Sequence, residues 1–216
     1  MRKVLLMFIL SFCFVGCNDE SNNNEAIELE IPSKHNPIDS ASRTSPVNSH
    51  NLDEYMFRDD VQYVDLRNPE MILQDGYVAG FSFIPYYSVI ASFNAKECLY
   101  QMKTVIDEEG NRYPAGQVGG FVAQYEESEI LMKSLFAKDK YIFIISQGGS
   151  EASYLIKLLL QLGYDGNLLY NVGGVSNGEG IASYKSIETN KYFVSGSGNL
   201  DVTTQYAFTD DLTPLE

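Results

Sequence analysis

The distribution of apolar and polar residues divides the chain into three regions. Residues 4–15 are almost entirely apolar, residues 18–50 are rich in Asn, Ser, Glu and Pro, and a globular pattern begins near residue 51. In the globular region, compact runs of β-branched and aromatic residues predict strands, at 61–66, 81–85, 141–145 and 168–172. Apolar spacing and capping residues predict helices, at 51–57, 68–76, 89–106, 126–137 and 151–162.

The second half of this region contains the clearest fold signal. Residues 141–145 (YIFII) form an unbroken apolar run, which is typical of a central parallel strand covered on both faces. A glycine loop at 146–150, a helix and a further strand ending at Gly173-Gly174 follow it. Strand, helix and strand within roughly 30 residues make a βαβ unit. The sequence therefore predicts an α/β fold with a parallel sheet and helices on both faces.

Two further segments enlarge this fold. The connection between residues 85 and 141 is long, and its glycine-rich part, residues 116–120 followed by Phe121-Val122, is a candidate loop over the carboxyl edge of the sheet. Ligands of such folds bind at that edge. The pattern leaves open whether this loop covers residue 146. Residues 181–216 are predicted to form a C-terminal β extension packed on the domain, with strands at 191–195 and 202–208.

The N-terminus has the features of an export signal. Arg2 and Lys3 precede the apolar run, which is too short for the roughly 20 residues of a membrane-spanning helix but fits a signal peptide. The run ends in Val15-Gly16-Cys17, which resembles the lipobox of bacterial lipoproteins. The resemblance implies removal of residues 1–16 and acylation of Cys17. An uncleaved anchor and a signal peptide cut elsewhere are the alternatives.

That resemblance also implies the surroundings of the protein. The lipid bilayer becomes a partner through the acylated, palmitate-type anchor on Cys17, and the protein is expected in the bacterial cell envelope, facing the periplasm or the exterior. Residues 17–50 are then a disordered polar tether, since this composition buries too little apolar surface to offset the entropy of ordering. The domain boundaries become 1–16, 17–50, 51–180 and 181–216.

Composition and charge exclude several functions. The chain carries 15 Lys and Arg against 29 Asp and Glu, a net charge of −14, which argues against a nucleic-acid partner. The only histidines, His35 and His50, lie in the predicted tether. A domain without histidine lacks a Ser-His-Asp or Cys-His nucleophile pair. No metal site and no cofactor are predicted. With Cys13 removed and Cys17 acylated, Cys98 is the remaining free thiol.

The motifs VQYVDLRNPEMILQDGYVAGFSFIPYY and YIFIISQGGSEASYLIKLLLQLGYDGNLLYNVGG, in this order, resemble the two halves of the rhodanese-like domain. The first resembles the family's strand ending in Asp-x-Arg, its short helix and its Gly-His-Ile-Pro-Gly-Ala segment. The matching positions are Asp65, Arg67, Gly76, Gly80, Ile84 and Pro85. The second resembles its active-site strand, loop, helix and final Gly-Gly.

The resemblance breaks at the active-site loop. Active rhodaneses carry Cys-x-x-Gly-x-Arg there, and the cysteine thiolate accepts a sulfur atom as a persulfide. This chain has Ser146, Gln147, Gly148, Gly149, Ser150 and Glu151. A serine hydroxyl cannot form a persulfide, and Glu151 stands where the family has an arginine that holds anions. Sulfur transfer at this loop is therefore not expected.

These observations lead to a primary functional hypothesis and two alternatives. The first is a lipid-anchored protein whose inactive rhodanese-like domain binds or scaffolds an unknown protein or small molecule. The second is a sulfur-transfer or redox enzyme that uses Cys98 as a relocated thiol, or an enzyme using Ser146 with Asp65. The third is a surface structural or adhesion protein. Asp65 and Arg67 either line the loop site or only tie strand ends together. The loop is a candidate site for a small neutral or weakly anionic ligand.

Overall fold

The computed structural model describes residues 29–33, 44–93, 97–110, 112–114, 120–174, 191–196 and 212–215. Its strands are β1 (Val61–Asp65), β2 (Tyr77–Val78), β3 (Ser82–Phe83), β4 (Ala91–Ser92), β5 (Tyr100–Met102), β6 (Thr104–Ile106), β7 (Arg112–Pro114), β8 (Phe121–Ala123), β9 (Tyr141–Ser146), β10 (Leu169–Gly174) and β11 (Phe193–Val194). Its α-helices are α1 (Pro69–Asp75), α2 (Ser128–Leu135) and α3 (Ser150–Gln161). Two 3₁₀ turns lie at Leu52–Tyr55 and Gly166–Leu168, and a π-helical turn lies at Tyr86–Ile90.

Four strands form the central sheet in the order β10-β9-β1-β3, and all of their pairings are parallel. The predicted α/β fold with a parallel sheet is thus confirmed, and it is consistent with a rhodanese-like architecture. Because the strands are parallel, their carboxyl ends lie at one edge of the sheet. The segments that follow β1 and β9 meet there, as the hydrogen bond from Leu66 N to Ile145 O (3.0 Å) demonstrates.

The two faces of the sheet are covered differently. Side chains of α2 and α3, including Met132, Leu155 and Leu159, pack on the face that carries Val64 and Ile144. The opposite face combines aromatic and aliphatic side chains and packs against the first 3₁₀ turn. That cluster includes Tyr63, Phe143, Tyr170, Leu52 and Tyr55. The alternation of side chains along each strand separates the two sets.

Part of the predicted tether belongs to this second face. Ile31 and Val47 are buried in its cluster, and Pro32 O accepts a hydrogen bond from the Tyr170 hydroxyl at 2.9 Å. Residues 29–33 and 44–50 are therefore packed parts of the fold rather than tether, in contrast to the expected boundary at residue 51. The apolar patch within a polar sequence is what makes this packing favourable. The predicted signal peptide, Cys17 and His35 lie outside the described residues. His50 belongs to the packed segment 44–50, so the prediction that both histidines lie in the tether is wrong for this residue.

The predicted helix at 89–106 is wrong. After the π-helical turn, the chain forms β4, β5 and β6; β4 pairs with β5 in parallel, and β8 pairs with β5 antiparallel. Tyr100 and Met102 are buried and contribute to the core under α2 and α3, whereas Gln101 is exposed. That alternation has the two-residue period of a strand, and it overrides the looser helical spacing of the surrounding apolar residues.

The C-terminal extension is partly described. Strand β11 pairs antiparallel with β2, with Phe193 opposite Val78. Residues 212–215 lie beside the segment before α2, where Leu215 N donates to Gln124 O at 2.8 Å and Glu126 N donates to Thr213 O at 3.0 Å. The strand predicted at 202–208 lies outside the described residues.

Candidate functional site

The site is built at the carboxyl ends of β1 and β9, where the two matched motifs converge. Asp65 is the last residue of β1, and Ser146 is the last residue of β9. Helix α1 begins shortly after the first and α3 shortly after the second. Asn68 caps α1, since its side chain accepts from Met71 N at 3.1 Å and Pro69 opens the helix.

Asp65 and Arg67 form a fully buried ion pair. Arg67 Nη2 lies 2.7 Å from Asp65 Oδ2, and Arg67 Nε lies 3.0 Å from Oδ1, with both side chains completely inaccessible to solvent. The Arg67 backbone N–H also donates to Asp65 Oδ1, and Nη2 donates to Gly76 O at 2.9 Å. Each residue of the pair would be a buried, uncompensated charge without the other, so the two side chains must stay together. The ion pair therefore stabilises the turn between β1 and α1.

The third nitrogen of the Arg67 guanidinium takes no part in these hydrogen bonds. Nη1 is buried and has no hydrogen-bond partner among the described residues. The same side chain lines a small cleft whose volume is about 90 Å³. Since roughly 10–15 Å³ of such volume holds one water molecule, the cleft holds a few waters or a ligand of similar size.

Glu151 lines the same cleft. It lies in the first turn of α3, and its Oε2 is buried without a hydrogen-bond partner among the described residues. None of the ion pairs between described residues includes it. The remaining walls are mostly apolar or aromatic, formed by Leu66, Met71, Pro85, Tyr86 and Tyr87. The cleft thus combines a guanidinium edge and a carboxylate within an otherwise weakly polar surface.

The two tyrosines were not predicted as site residues. Tyr86 is buried and its hydroxyl points to Met102 Sδ at 3.7 Å, whereas Tyr87 is 43% exposed. Burial, and secondly the negative charge of Glu151, raises the pKa of Tyr87 to about 12. Its hydroxyl therefore remains neutral near pH 7. The sequence signal was the Pro85-Tyr86-Tyr87 run directly after β3, at the ligand-binding edge of the sheet.

The side chain of Ser146 is hydrogen-bonded within its own loop. Ser146 is buried, and its Oγ accepts a hydrogen bond from Gly149 N at 2.8 Å. Gly149 has a positive φ of 81°, which permits the turn into α3. Ser146 is not among the residues that line the cleft, whereas Gln147 and Glu151 are. The Ser146 hydroxyl oxygen therefore binds the backbone of its own loop.

The end of β10 holds this loop in place. A Cβ on Gly174 would lie 2.6 Å from Gly148 Cα and 2.8 Å from Gln147 O, so only glycine permits the approach. Asn171 Nδ2 donates to Gly149 O at 2.9 Å and to Ser153 Oγ at 3.0 Å. The sequence analysis singled out the Gly173-Gly174 pair through its resemblance to rhodaneses, but it did not identify Asn171, because nothing local in the sequence reveals the partners of that side chain.

One further contact brings a second carboxylate near the loop. Gln147 Nε2 lies 3.4 Å from Asp75 Oδ2, at the end of α1. Ser150 is exposed at the first position of α3 and has no role in lining the cleft. The carboxylates near the cleft, Asp75 and Glu151, make its surroundings acidic.

Cys98 lies behind one wall of the cleft and is not in a helix. It lies between β4 and β5, it is buried, and its thiol donates to Tyr87 O at 3.1 Å. Burial, with a smaller effect of Glu97, raises the pKa of this thiol to about 11. A thiol with that pKa is almost entirely protonated near neutral pH, whereas sulfur chemistry requires the thiolate.

The described end of the glycine-rich segment lies away from this site. Phe121 N and O bond to the side-chain amide of Gln161, both at 2.9 Å. Gln161 is the last residue of α3, at the opposite end of that helix from the Ser146 loop. Gly120 and Phe121 therefore do not cover the loop. Residues 115–119 lie outside the described residues.

Comparisons with known proteins give no match: no family model, no curated protein and no solved structure matches this chain. In the part of the chain that the structure describes, no group of three His, Cys, Asp or Glu side chains is arranged to hold a metal ion. No helix within the same ranges is long and apolar enough to cross a bilayer.

Proposed function

We propose that this chain is a lipid-anchored protein of the bacterial cell envelope whose rhodanese-like domain transfers no sulfur and acts as a binding module. The observation that supports this most directly is the hydrogen bond from Gly149 N to Ser146 Oγ. An amide that in a sulfur-binding loop would face an incoming anion is here used by the loop's own serine. A serine oxygen in that position cannot carry a persulfide.

The charge at the loop supports the same function. Sulfur donors such as thiosulfate are anions, and they would meet the carboxylate of Glu151 beside the cleft. The guanidinium of Arg67 does not compensate, because two of its nitrogens already pair with Asp65. Arg67 Nη1 and Glu151 Oε2, on two residues that line the cleft, are nevertheless buried without a hydrogen-bond partner among the described residues. A pocket with unsatisfied, preformed polar groups is typical of binding sites.

The alternative enzyme based on Cys98 has no supporting observation. The thiol is buried, it is bonded to Tyr87 O, and its pKa is raised to about 11. Cys98 is therefore a packing residue behind the cleft wall.

Sulfur transfer from thiosulfate to cyanide tests the catalytic half of the proposal. The full chain in detergent, its Cys98→Ser variant and its Ser146→Cys variant are assayed side by side. We expect no thiocyanate above the buffer rate from the wild type and from Cys98→Ser. Transfer by the wild type would overturn the proposal, and its loss in Cys98→Ser would assign the activity to that thiol. Activity gained in Ser146→Cys would show that only the nucleophile is missing.

Incorporation of labelled palmitate in a bacterial host tests the anchor. Cys17 is the acceptor in the proposal, so Cys17→Ser is expected to abolish labelling while Cys13→Ser, four residues earlier, keeps it. Labelling that persists in Cys17→Ser would contradict the anchor. The residues concerned are far in sequence from the cleft, so this outcome leaves the sulfur-transfer test unaffected.

A further inference from the structure

We propose that the cleft between Arg67 and Glu151 binds a small primary ammonium compound in which a carbonyl group is bonded to the carbon that carries the ammonium group. This inference rests on the proposed function, because it assigns a ligand class to the same cleft. It differs from the neutral or weakly anionic ligand expected from the glycine loop alone.

The donor side of the cleft is Arg67. Its Nη1 carries two N–H groups, the side chain has no solvent exposure, and no described residue accepts from that nitrogen. A buried donor without a partner costs about 1–3 kcal/mol, and more when it is charged. A ligand oxygen placed against Nη1 removes that cost. The ligand therefore needs a hydrogen-bond acceptor at one end.

The acceptor side is Glu151. Its Oε2 is buried without a partner in the described part of the chain, although the residue as a whole is only partly buried. A carboxylate oxygen accepts and never donates, so a ligand must present N–H or O–H groups to it. Bonds between an ammonium group and a carboxylate are roughly twice as strong as neutral ones. The ligand therefore needs a donor, preferably cationic, at its other end.

The balance of charge decides between an anion and a cation. Asp65 neutralises Arg67 through two guanidinium nitrogens. Glu151 has no such counter-charge among the described ion pairs, and Asp75 lies close by through Gln147. The cleft is thus net negative even though it contains an arginine. An anion of the thiosulfate type is disfavoured, and an ammonium group is attracted.

Size and wall chemistry restrict the ligand further. A volume of about 90 Å³ admits a molecule of only a few heavy atoms. Tyr86 and Tyr87 supply aromatic walls, which accommodate an ammonium group better than aliphatic walls do. A single two-carbon unit with an amine at one end and a carbonyl at the other meets all of these requirements.

Isothermal titration of the full chain in detergent with two matched amides tests the inference. Glycinamide in its protonated form carries the ammonium and carbonyl groups, and glycolamide replaces the ammonium by a hydroxyl with little change in size. We expect glycinamide to bind at least about tenfold more tightly than glycolamide, the ratio that one charge-assisted bond provides. Thiosulfate is expected to give no saturable binding.

Glu151→Gln is the decisive variant. It keeps the shape of the side chain and removes its charge, so the preference for glycinamide over glycolamide is expected to disappear. Glu129→Gln is the matched control, since Glu129 is exposed on α2 and pairs with Lys133; it is expected to keep the preference. Arg67→Lys tests the donor side, with its unfolding temperature as the measure of intact folding, and is expected to weaken both amides.

Each other outcome overturns the inference. Equal binding of the two amides, an unchanged preference in Glu151→Gln, or no saturable binding of glycinamide would leave only water in the cleft or another ligand class. Saturable thiosulfate binding without sulfur transfer would overturn the ammonium ligand and leave the binding module intact. The binding module itself fails only if the wild-type chain transfers sulfur.

Discussion

The segments that follow β1 and β9 lie side by side at the same sheet edge, yet they are stabilised by different means. The first, residues 65–67, is fixed by side chains: a buried carboxylate and a buried guanidinium bond to each other and to the nearby backbone. The second, residues 146–151, is fixed by its backbone, through Gly149 N on Ser146 Oγ and the close contact of Gly148 with Gly174.

The difference explains the chemistry of the cleft between them. In the first segment, Arg67 Nη1 has no hydrogen-bond partner among the described residues. The segment has no net charge, because Asp65 balances Arg67. In the second segment, Glu151 Oε2 has no hydrogen-bond partner among the described residues. This segment is stabilised by backbone amides and glycines, which need no counter-charge. The cleft is therefore acidic at the position where its resemblance to rhodaneses implies a basic, anion-binding loop.

The largest expected effect comes from breaking the first segment. Asp65→Asn keeps the shape of the side chain but leaves the charge of Arg67 buried without compensation. We expect the free energy of unfolding to fall by about 3–5 kcal/mol, measured by denaturant titration.

Asp60→Asn is the matched control for that variant. Asp60 pairs with Arg58 at 2.8 Å, but its side chain is 47% exposed. An exposed pair contributes only about 0–1 kcal/mol. A loss of similar size in the two variants would contradict the importance assigned to burial of the Asp65 pair.

A smaller effect is expected from disturbing the second segment. Gly174→Ala places a Cβ 2.6 Å from Gly148 Cα and 2.8 Å from Gln147 O, and both of these atoms belong to backbone that cannot rotate away. We expect a loss of about 1–3 kcal/mol in the free energy of unfolding, the usual cost of overpacking.

Gly148→Ala distinguishes this steric effect from a general intolerance of the loop. A Cβ at Gly148 meets no atom within 4 Å, so this variant is expected to change stability by at most about 1 kcal/mol. Equal destabilisation by the two alanines would show that the contact between β10 and the loop is not what fixes the second segment.

Most of the sheet and its helices could be predicted because their signals are local. The apolar run of β9, the Asn68-Pro69 start of α1 and the glycine after it each act within a few residues. The middle connection could not be predicted in the same way. Its short strands are stabilised by pairing with β8 and by packing of Tyr100 and Met102 under the helices, which are distant in sequence.

The candidate site, like the fold, could be predicted from the sequence only in part. The sequence identified the loop that contains Ser146 and the Asp65-Arg67 motif, because each is contiguous. It did not identify Tyr86 and Tyr87 as walls or Asn171 as a support of the loop, since these roles arise from contacts across the sheet edge. It also placed Cys98 in a helix, whereas the thiol lies between two strands behind Tyr87.

The sequence by itself determined the parallel α/β architecture, including the buried strand that ends at Ser146 and the helix that follows it. These follow from composition, periodicity and local capping, which need no knowledge of distant contacts. Only the tertiary structure decided that Ile31 and Val47 belong to the core and that Arg67 and Glu151 border one cleft. It also decided which of their polar atoms have no hydrogen-bond partner. Burial and hydrogen bonding depend on neighbours that the folded chain brings together from different strands and helices.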